Sequence, residues 1–338
     1  MKLILVRRNI RCGFQLTDKR FIKHLTYLTL LTFLIILPIC CYNLRYSVYS
    51  LLWKKDVDEG RRLLKLENTE RLKIADNFLR MYKKNVKYDQ KGNIDVGISI
   101  ITVSRKRNKS DEYEPKYLTQ VVANFLQQLE KYQNFKLTYQ LYVCNVDEEP
   151  STFLEASYVS KIVPSFNRFP NTSKFESKST NLVLEKEKQD YIYCGEQTLL
   201  QNVSYVFLVE DDALPRTDLL IVLDYLLTKN KETMNATYIK FYHPERLLGY
   251  ISFEFERIPE LIGISLMMSA LFVTLYLKIR PNSNIHLCVL WTASLVYFVL
   301  FFLAIGRQNL IELRRISKYL YQITPAPSCC TPANLYPR

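Results

Sequence analysis

Glycine is scarce in this chain of 338 residues, with 8 in all, where average proteins carry about 7%. Neither GxGxxG nor GxxxxGK[ST] occurs, so a Rossmann or P-loop nucleotide site lacks the loop that would cradle its phosphates. No internal repeat and no low-complexity stretch is present. A small-x-small cleavage site is also missing behind the first apolar run. Bulky Cys40, Cys41 and Tyr42 end that run, which favours an uncleaved signal-anchor over a removed signal peptide. Residues 45–257 hold only two cysteines, Cys144 and Cys194. In an oxidising compartment such a pair bridges; two buried thiols are the alternative.

Charge of one sign is in excess: 46 Lys and Arg stand against 33 Asp and Glu, a net charge of +13. Part of the excess gathers at the start, where Lys2, Arg7, Arg8, Arg11, Lys19, Arg20 and Lys23 are opposed only by Asp18. Cytoplasmic flanks of membrane helices collect Lys and Arg, so this cluster reads as a topology signal rather than a nucleic-acid patch. Three apolar runs follow, at residues 24–44, 258–279 and 285–306. Each is about the length that spans a bilayer. The second and third are joined by the short turn Arg280-Pro281-Asn282-Ser283-Asn284 and so form a helical hairpin; a buried soluble helix pair is the blander reading. A cytoplasmic N-terminus puts 45–257 in the lumen, the hairpin turn in the cytoplasm and 307–338 back in the lumen. Four sequons agree with a lumenal body, at Asn108, Asn171, Asn202 and Asn235, all inside 45–257.

Within that body, residues 53–88 are highly charged, with Leu72, Ala75, Phe78, Leu79 and Tyr82 at helical spacing; they predict a stem helix over 45–90. The alternation of Ile94, Val96, Ile98 and Ile100 predicts a strand. Further strands are expected at 137–143, 205–209 and 238–242, and helices at 115–132, 181–189 and 218–228, the last capped by Thr217. Strands alternating with helices imply an α/β fold with a mostly parallel sheet.

Glu210-Asp211-Asp212 follows directly on the apolar YVFLV. A buried strand ending in carboxylates sets them at the carboxyl edge of the sheet, where open α/β sheets bind ligands. Adjacent carboxylates repel unless a cation sits among them, and Mg²⁺ or Mn²⁺ suits oxygen ligands while leaving positions for phosphate oxygens. A solvated loop is the bland alternative. In a lumenal domain this points to glycosyl transfer from a nucleotide sugar with a GT-A type fold.

YVFLVEDDALP, then KFYHPERLLGY, then the apolar hairpin, then APSCCTPANLYP resembles the post-GPI attachment to proteins factor four family, from the signal-anchor through CCTP. That family consists of Golgi N-acetylgalactosaminyltransferases acting on the GPI anchor. The resemblance implies a GT-A-like domain (91–257, continued at 307–338) interrupted by the transmembrane hairpin of 258–306. It follows a cytoplasmic tail (1–23) and the signal-anchor (24–44). The implied donor is UDP-N-acetylgalactosamine, the implied cofactor Mn²⁺ or Mg²⁺. The implied acceptor is the first mannose of the GPI glycan, on GPI-anchored proteins or GPI glycolipid. Asp212 would be the main metal ligand. Glu210 and Asp211 would hold the ribose and pyrophosphate side, with Glu210 a second metal ligand. Val103 would lie near the uridine, and Thr331 and Pro332 would return from the hairpin to line the donor site. Plain core for Val103 and an ordinary turn for Thr331-Pro332 remain open, as does a vicinal bridge or two thiols for Cys329 and Cys330. His243-Pro244 reads as a loop turn. Chains of the family extend beyond this motif, whereas this sequence stops at Arg338. The general base of an inverting transferase is normally Asp or Glu, and Glu312 is the only acid in 307–338, so no base is assigned. A catalytically impaired relative, or a transferase for another lumenal or lipid-linked glycan, is the alternative.

Overall fold

The computed structural model describes residues 19–52, 57–85, 93–105, 114–132, 134–170, 174–176, 182–229, 236–242, 248–251, 257–281, 285–324 and 330–338. It divides the chain into two units, each made of two stretches of sequence. Unit 1 is Met1–Lys55 with Glu245–Leu313; unit 2 is Asp56–Pro244 with Arg314–Arg338.

Unit 2 is a mixed α/β body. In chain order it contains α4 (Val57–Asn85), β1 (Ile94–Thr102), α5 (Tyr117–Lys131), β2 (Tyr139–Asn145), α6 (Leu154–Val159), β3 (Ser165–Asn167) and α7 (Leu182–Leu199). Then come β4 (Val203–Glu210), α8 (Leu219–Lys229), β5 (Ile239–Lys240) and β6 (Ala333–Pro337). The six strands lie in the order β3-β2-β1-β4-β6-β5. The first four are parallel, and β6 runs antiparallel to both β4 and β5. β1 is central, flanked by β2 and β4, so the strand order reverses beside it. Such a reversal opens a crevice at the carboxyl ends of the strands.

Two-residue periodicity assigns every strand side chain to one of two faces. Val96, Ile98 and Ile100 of β1, Leu141 and Val143 of β2, and Phe207 and Val209 of β4 point one way. There they pack with Leu118, Val122, Phe125 and Leu126 of α5 and Leu220, Leu223 and Leu227 of α8. Ile101, Cys144, Val206 and Leu208 point the other way, toward α7. β1 is therefore buried on both faces over most of its length, although its isoleucines suggested simple alternation. Gly97 keeps α7 close: a Cβ there would lie 2.6 Å from Thr198 Cγ2 and 3.1 Å from Val203 Cγ1. The Cys144–Cys194 disulfide is present and ties β2 to α7. Cys330 is disulfide-bonded too, while Cys329 lies outside the described residues.

Several expected elements shift. The helix expected at 181–189 extends to Leu199, and the strand expected at 238–242 is confined to Ile239–Lys240. The start of α8 is capped from across the body rather than by Thr217: the Leu220 N–H donates to Oε1 of Gln128 in α5 at 3.0 Å. The charged helix α4 is more than a stem, since Ala75 and Leu79 are buried in the main core. Asn68 of the same helix accepts from the Gln120 side chain at 2.9 Å. Strands β3 and β6 were not expected. β6 follows some ninety residues after β5, with the apolar helices between, and Leu335 is buried in the core.

Among its described residues, unit 1 holds three helical stretches long and apolar enough to cross a membrane: Ile22–Cys41, Arg257–Ile279 and Leu287–Ile305. The first is α1 (Lys19–Leu31), a π turn at Thr32–Ile36, and α2 (Leu37–Cys41). Pro38 lacks the N–H that an unbroken helix would use. Just before it, the Leu37 N–H bonds to the Thr32 carbonyl, one residue further back than in an α-helix. A short helix α3 (Val48–Leu52) follows. The other two stretches, α9 (Arg257–Ile279) and α10 (Leu287–Ile305), run antiparallel: Leu261 and Phe302 share one apolar cluster, and Phe272 meets Phe298. Thr32 and Tyr297 share a hydrogen bond of 2.8 Å between the first stretch and α10. Gly306 ends α10 at φ 87°, where a Cβ would stand 2.3 Å from the Tyr46 carbonyl oxygen. Helix α11 (Arg307–Ile311) follows, and Arg307 is paired with Glu260 at 2.9 Å.

Candidate functional site

The three carboxylates do not act as one cluster, and strand periodicity is the reason. Glu210 is the last residue of β4 and shares the face of Val206 and Leu208, toward α7. Its carboxylate accepts a short hydrogen bond from the Tyr191 hydroxyl on α7. Tyr191 also reaches the Thr331 carbonyl at 3.0 Å, and the Glu210 N–H donates to the Pro332 carbonyl at 2.8 Å. Thr331 and Pro332 are thus fastened beside the acidic strand end through their carbonyls, and neither lines the cavity described below. Burial raises the Glu210 carboxyl above the ordinary range, against the lowering effect of the Tyr191 donor. Burial and the Glu210 carboxylate push the Tyr191 hydroxyl well above the usual tyrosine range.

Asp211 continues the alternation and faces the other way. Its N–H bonds to the Ile101 carbonyl at 3.0 Å, which extends the β1–β4 pairing by one step. Thr102, the last residue of β1, donates its hydroxyl to Asp211 Oδ2 at 2.6 Å. Arg105 donates to Asp211 Oδ1 at 2.6 Å and lies 3.0 Å from Asp212 Oδ2. The Asp211 side chain is 7% exposed, against 39% for Asp212 and 46% for Arg105. Burial raises the Asp211 carboxyl above its ordinary range although Arg105 and Thr102 pull it down. Asp211 is therefore anchored, while Asp212 is more exposed and has one oxygen beside Arg105.

A cavity of about 580 Å³ opens on this face at the carboxyl edge of the sheet. Val103, Arg105 and Asp211 line it together with Arg80 of α4, Lys116 and Glu155. Val103 is half exposed here rather than plain core. Glu155 accepts from both the backbone N–H and the hydroxyl of Thr119 at 2.8 Å, and burial raises its carboxyl above the ordinary range. Lys116, just before α5, sits in the left-handed region at φ 46°. Sequence reasoning passed over Arg105, Thr102, Tyr191 and Glu155. Only Arg105 left a signal: a cation three residues past the end of the first strand, at the edge where the carboxylates were expected.

Among the described residues, no group of three or more His, Cys, Asp or Glu is placed to share a metal ion. The paired carboxylates of Asp211, which lines the cavity, and Asp212, which is more exposed, fit a different kind of ion. Mg²⁺ and its relatives take one or two carboxylates and complete their shell with water and substrate phosphates. Glu210 gives one oxygen to Tyr191 on the opposite face, and Arg105 bridges Asp211 and Asp212.

The carboxylate-tipped strand, the crevice at the strand-order reversal, and the return segment locked against Glu210 by Tyr191 all fall within one matched stretch of sequence. The model of the family GPI-N-acetylgalactosamine transferase PGAP4 matches residues 96–338, and the chain belongs to that family.

Proposed function

We propose that this chain transfers N-acetylgalactosamine from UDP-N-acetylgalactosamine to the first mannose of the GPI core glycan. The setting is the Golgi lumen, with unit 2 as a GT-A-like catalytic body and the three apolar helices in the membrane. The observation that carries the reading is the pairing of Asp211 and Asp212 through Arg105 at the strand-order reversal, with Asp211 and Arg105 lining a cavity of about 580 Å³. Asp211 is held by Thr102 and Arg105 and gives the strand end a fixed geometry. Asp212 is the residue that would hold Mn²⁺ or Mg²⁺. Such an ion supplies Lewis-acid stabilisation of the charge that develops on a departing nucleotide. Val103 and Glu155 form the wall against which the nucleoside rests. Glu210 holds Thr331 and Pro332 in register through Tyr191, closing the opposite side. The cations Arg80, Arg105 and Lys116 offset the charge of a diphosphate.

The test uses the full chain purified in detergent, labelled UDP-N-acetylgalactosamine and a GPI glycan acceptor. Label is expected on the first mannose with Mn²⁺ and is expected to vanish with chelator. Label on another sugar would overturn the acceptor assignment, and incorporation unaffected by chelator would overturn the metal.

A further inference from the structure

One nitrogen of Arg105 lies between the two aspartates that would hold a divalent cation. Its Nη2 lies 2.6 Å from Asp211 Oδ1 and 3.0 Å from Asp212 Oδ2. The second oxygen of Asp211 is already taken by Thr102 at 2.6 Å. Adjacent carboxylates disfavour each other's ionisation, and a buried one left without a partner is costly. Arg105 meets both demands at once. The residue is nevertheless not locked in: almost half its side chain is exposed, and its guanidinium rests on the Tyr117 ring, 5.2 Å from the centroid. The same side chain lines the cavity beside Val103, Ser104 and Lys116.

We propose that Arg105 is a resident counter-ion, one that competes with the divalent cation for Asp211 and Asp212 and turns to the donor's diphosphate when the cation arrives. The inference rests on the donor-site reading above. A dication attracts two carboxylates more strongly than a guanidinium does, but the position between them admits only one occupant. The displaced guanidinium keeps Tyr117 as a platform and remains within the cavity. Its planar fork matches phosphate oxygens two at a time, which a lysine cannot do. Arg105 thereby couples the two binding events: the ion binds weakly alone and well with a nucleotide, because the diphosphate gives Arg105 a second partner. Among the described residues, the other charged groups lining this space are the cations Arg80 and Lys116 and the acids Asp76, Glu114 and Glu155, and Arg105 is the cation paired with both aspartates.

The experiment measures Mn²⁺ binding by the paramagnetic resonance signal of the free ion, using the full chain in detergent, as wild type, Arg105→Gln and Arg105→Lys. Without nucleotide, Arg105→Gln is expected to bind Mn²⁺ roughly tenfold more tightly than wild type, because a competing charge has gone from the site. With Mn²⁺ saturating, UDP is expected to bind roughly tenfold more weakly to Arg105→Gln and to Arg105→Lys, since neither offers the fork. Unchanged or weakened Mn²⁺ binding by folded Arg105→Gln would overturn the proposal. Should that variant fail to fold, an Arg105→Lys protein with unchanged UDP affinity overturns it equally. Equal Mn²⁺ affinities with Mn²⁺-dependent UDP binding intact would remove the role of Arg105 and leave the donor site standing. A wild-type protein that binds neither Mn²⁺ nor UDP removes both.

Discussion

Asp211 and Asp212 are neighbours in sequence with different tasks, and mutation should separate them. Asp212→Ala removes an exposed oxygen donor, so transfer should fall by about two orders of magnitude or more. Thermal unfolding of the metal-free protein should move little, because one repelling carboxylate is lost. Near-normal transfer by Asp212→Ala would defeat its assignment to the ion. A second contrast concerns Glu155, whose carboxyl burial raises above the ordinary range of 4.5. The folded protein then holds a proton that the unfolded chain releases sooner. Stability is thus fully present below the unfolded value and is lost as pH rises through the raised one. Asp211 and Glu210 shift the same way, so the comparison must be differential. Glu155→Gln keeps an acceptor for Thr119 and abolishes this titration. Relative to that variant, the wild type should lose melting temperature as pH is raised from the ordinary carboxylate range toward neutrality. Parallel curves would show that Glu155 does not contribute.

At the scale of elements, α4 and the disulfide carry the clearest expectations. If α4 were only a spacer, truncating its apolar stripe would be harmless. Leu79 is instead buried among the side chains of the main core, so Leu79→Ala should destabilise unit 2 by about 3 kcal/mol, read from denaturant unfolding. The Cys144–Cys194 bridge closes a separation of 50 residues. Replacing both cysteines by alanine should cost about 4 kcal/mol on the chain-entropy account. A double variant as stable as wild type would mean that the bridge constrains little in the unfolded chain. β4 was legible because the short run at 205–209 is almost wholly apolar, as in a buried strand. β3 is three residues long, too short for any period to register, and only pairing with β2 makes it a strand; β5 was expected, but pairing with β6 confines it to two residues.

For the whole molecule, the issue is which side of the membrane unit 2 occupies. A lumenal body predicts N-glycans on the segment that carries Asn108, Asn171, Asn202 and Asn235. Among the described residues Asn202 is exposed, at φ 59°, with its side-chain oxygen accepting from Arg338 at 2.6 Å. Glycosidase treatment of the protein from cells should increase its gel mobility. A chain unmodified at every sequon would reverse the orientation. The other sequons lie outside the described residues.

The sequence alone determined the apolar spans, the α/β alternation and the position of the acidic strand end. Each depends on a local property: run length, side-chain period, or the residues next to a hydrophobic stretch. It also marked Cys144 and Cys194 as the only pair available for bridging in their segment. What tertiary structure decided is how the carboxylates divide. Pleating sends Glu210 to Tyr191 on α7 and Asp211 to Thr102 and Arg105, and the partners come from 19, 109 and 106 residues away. The same holds for β6, whose five residues become a strand only because β4 and β5 leave a gap that they fill. No local pattern encodes a hydrogen-bond partner so distant in sequence, since the chain must first fold for the two to meet.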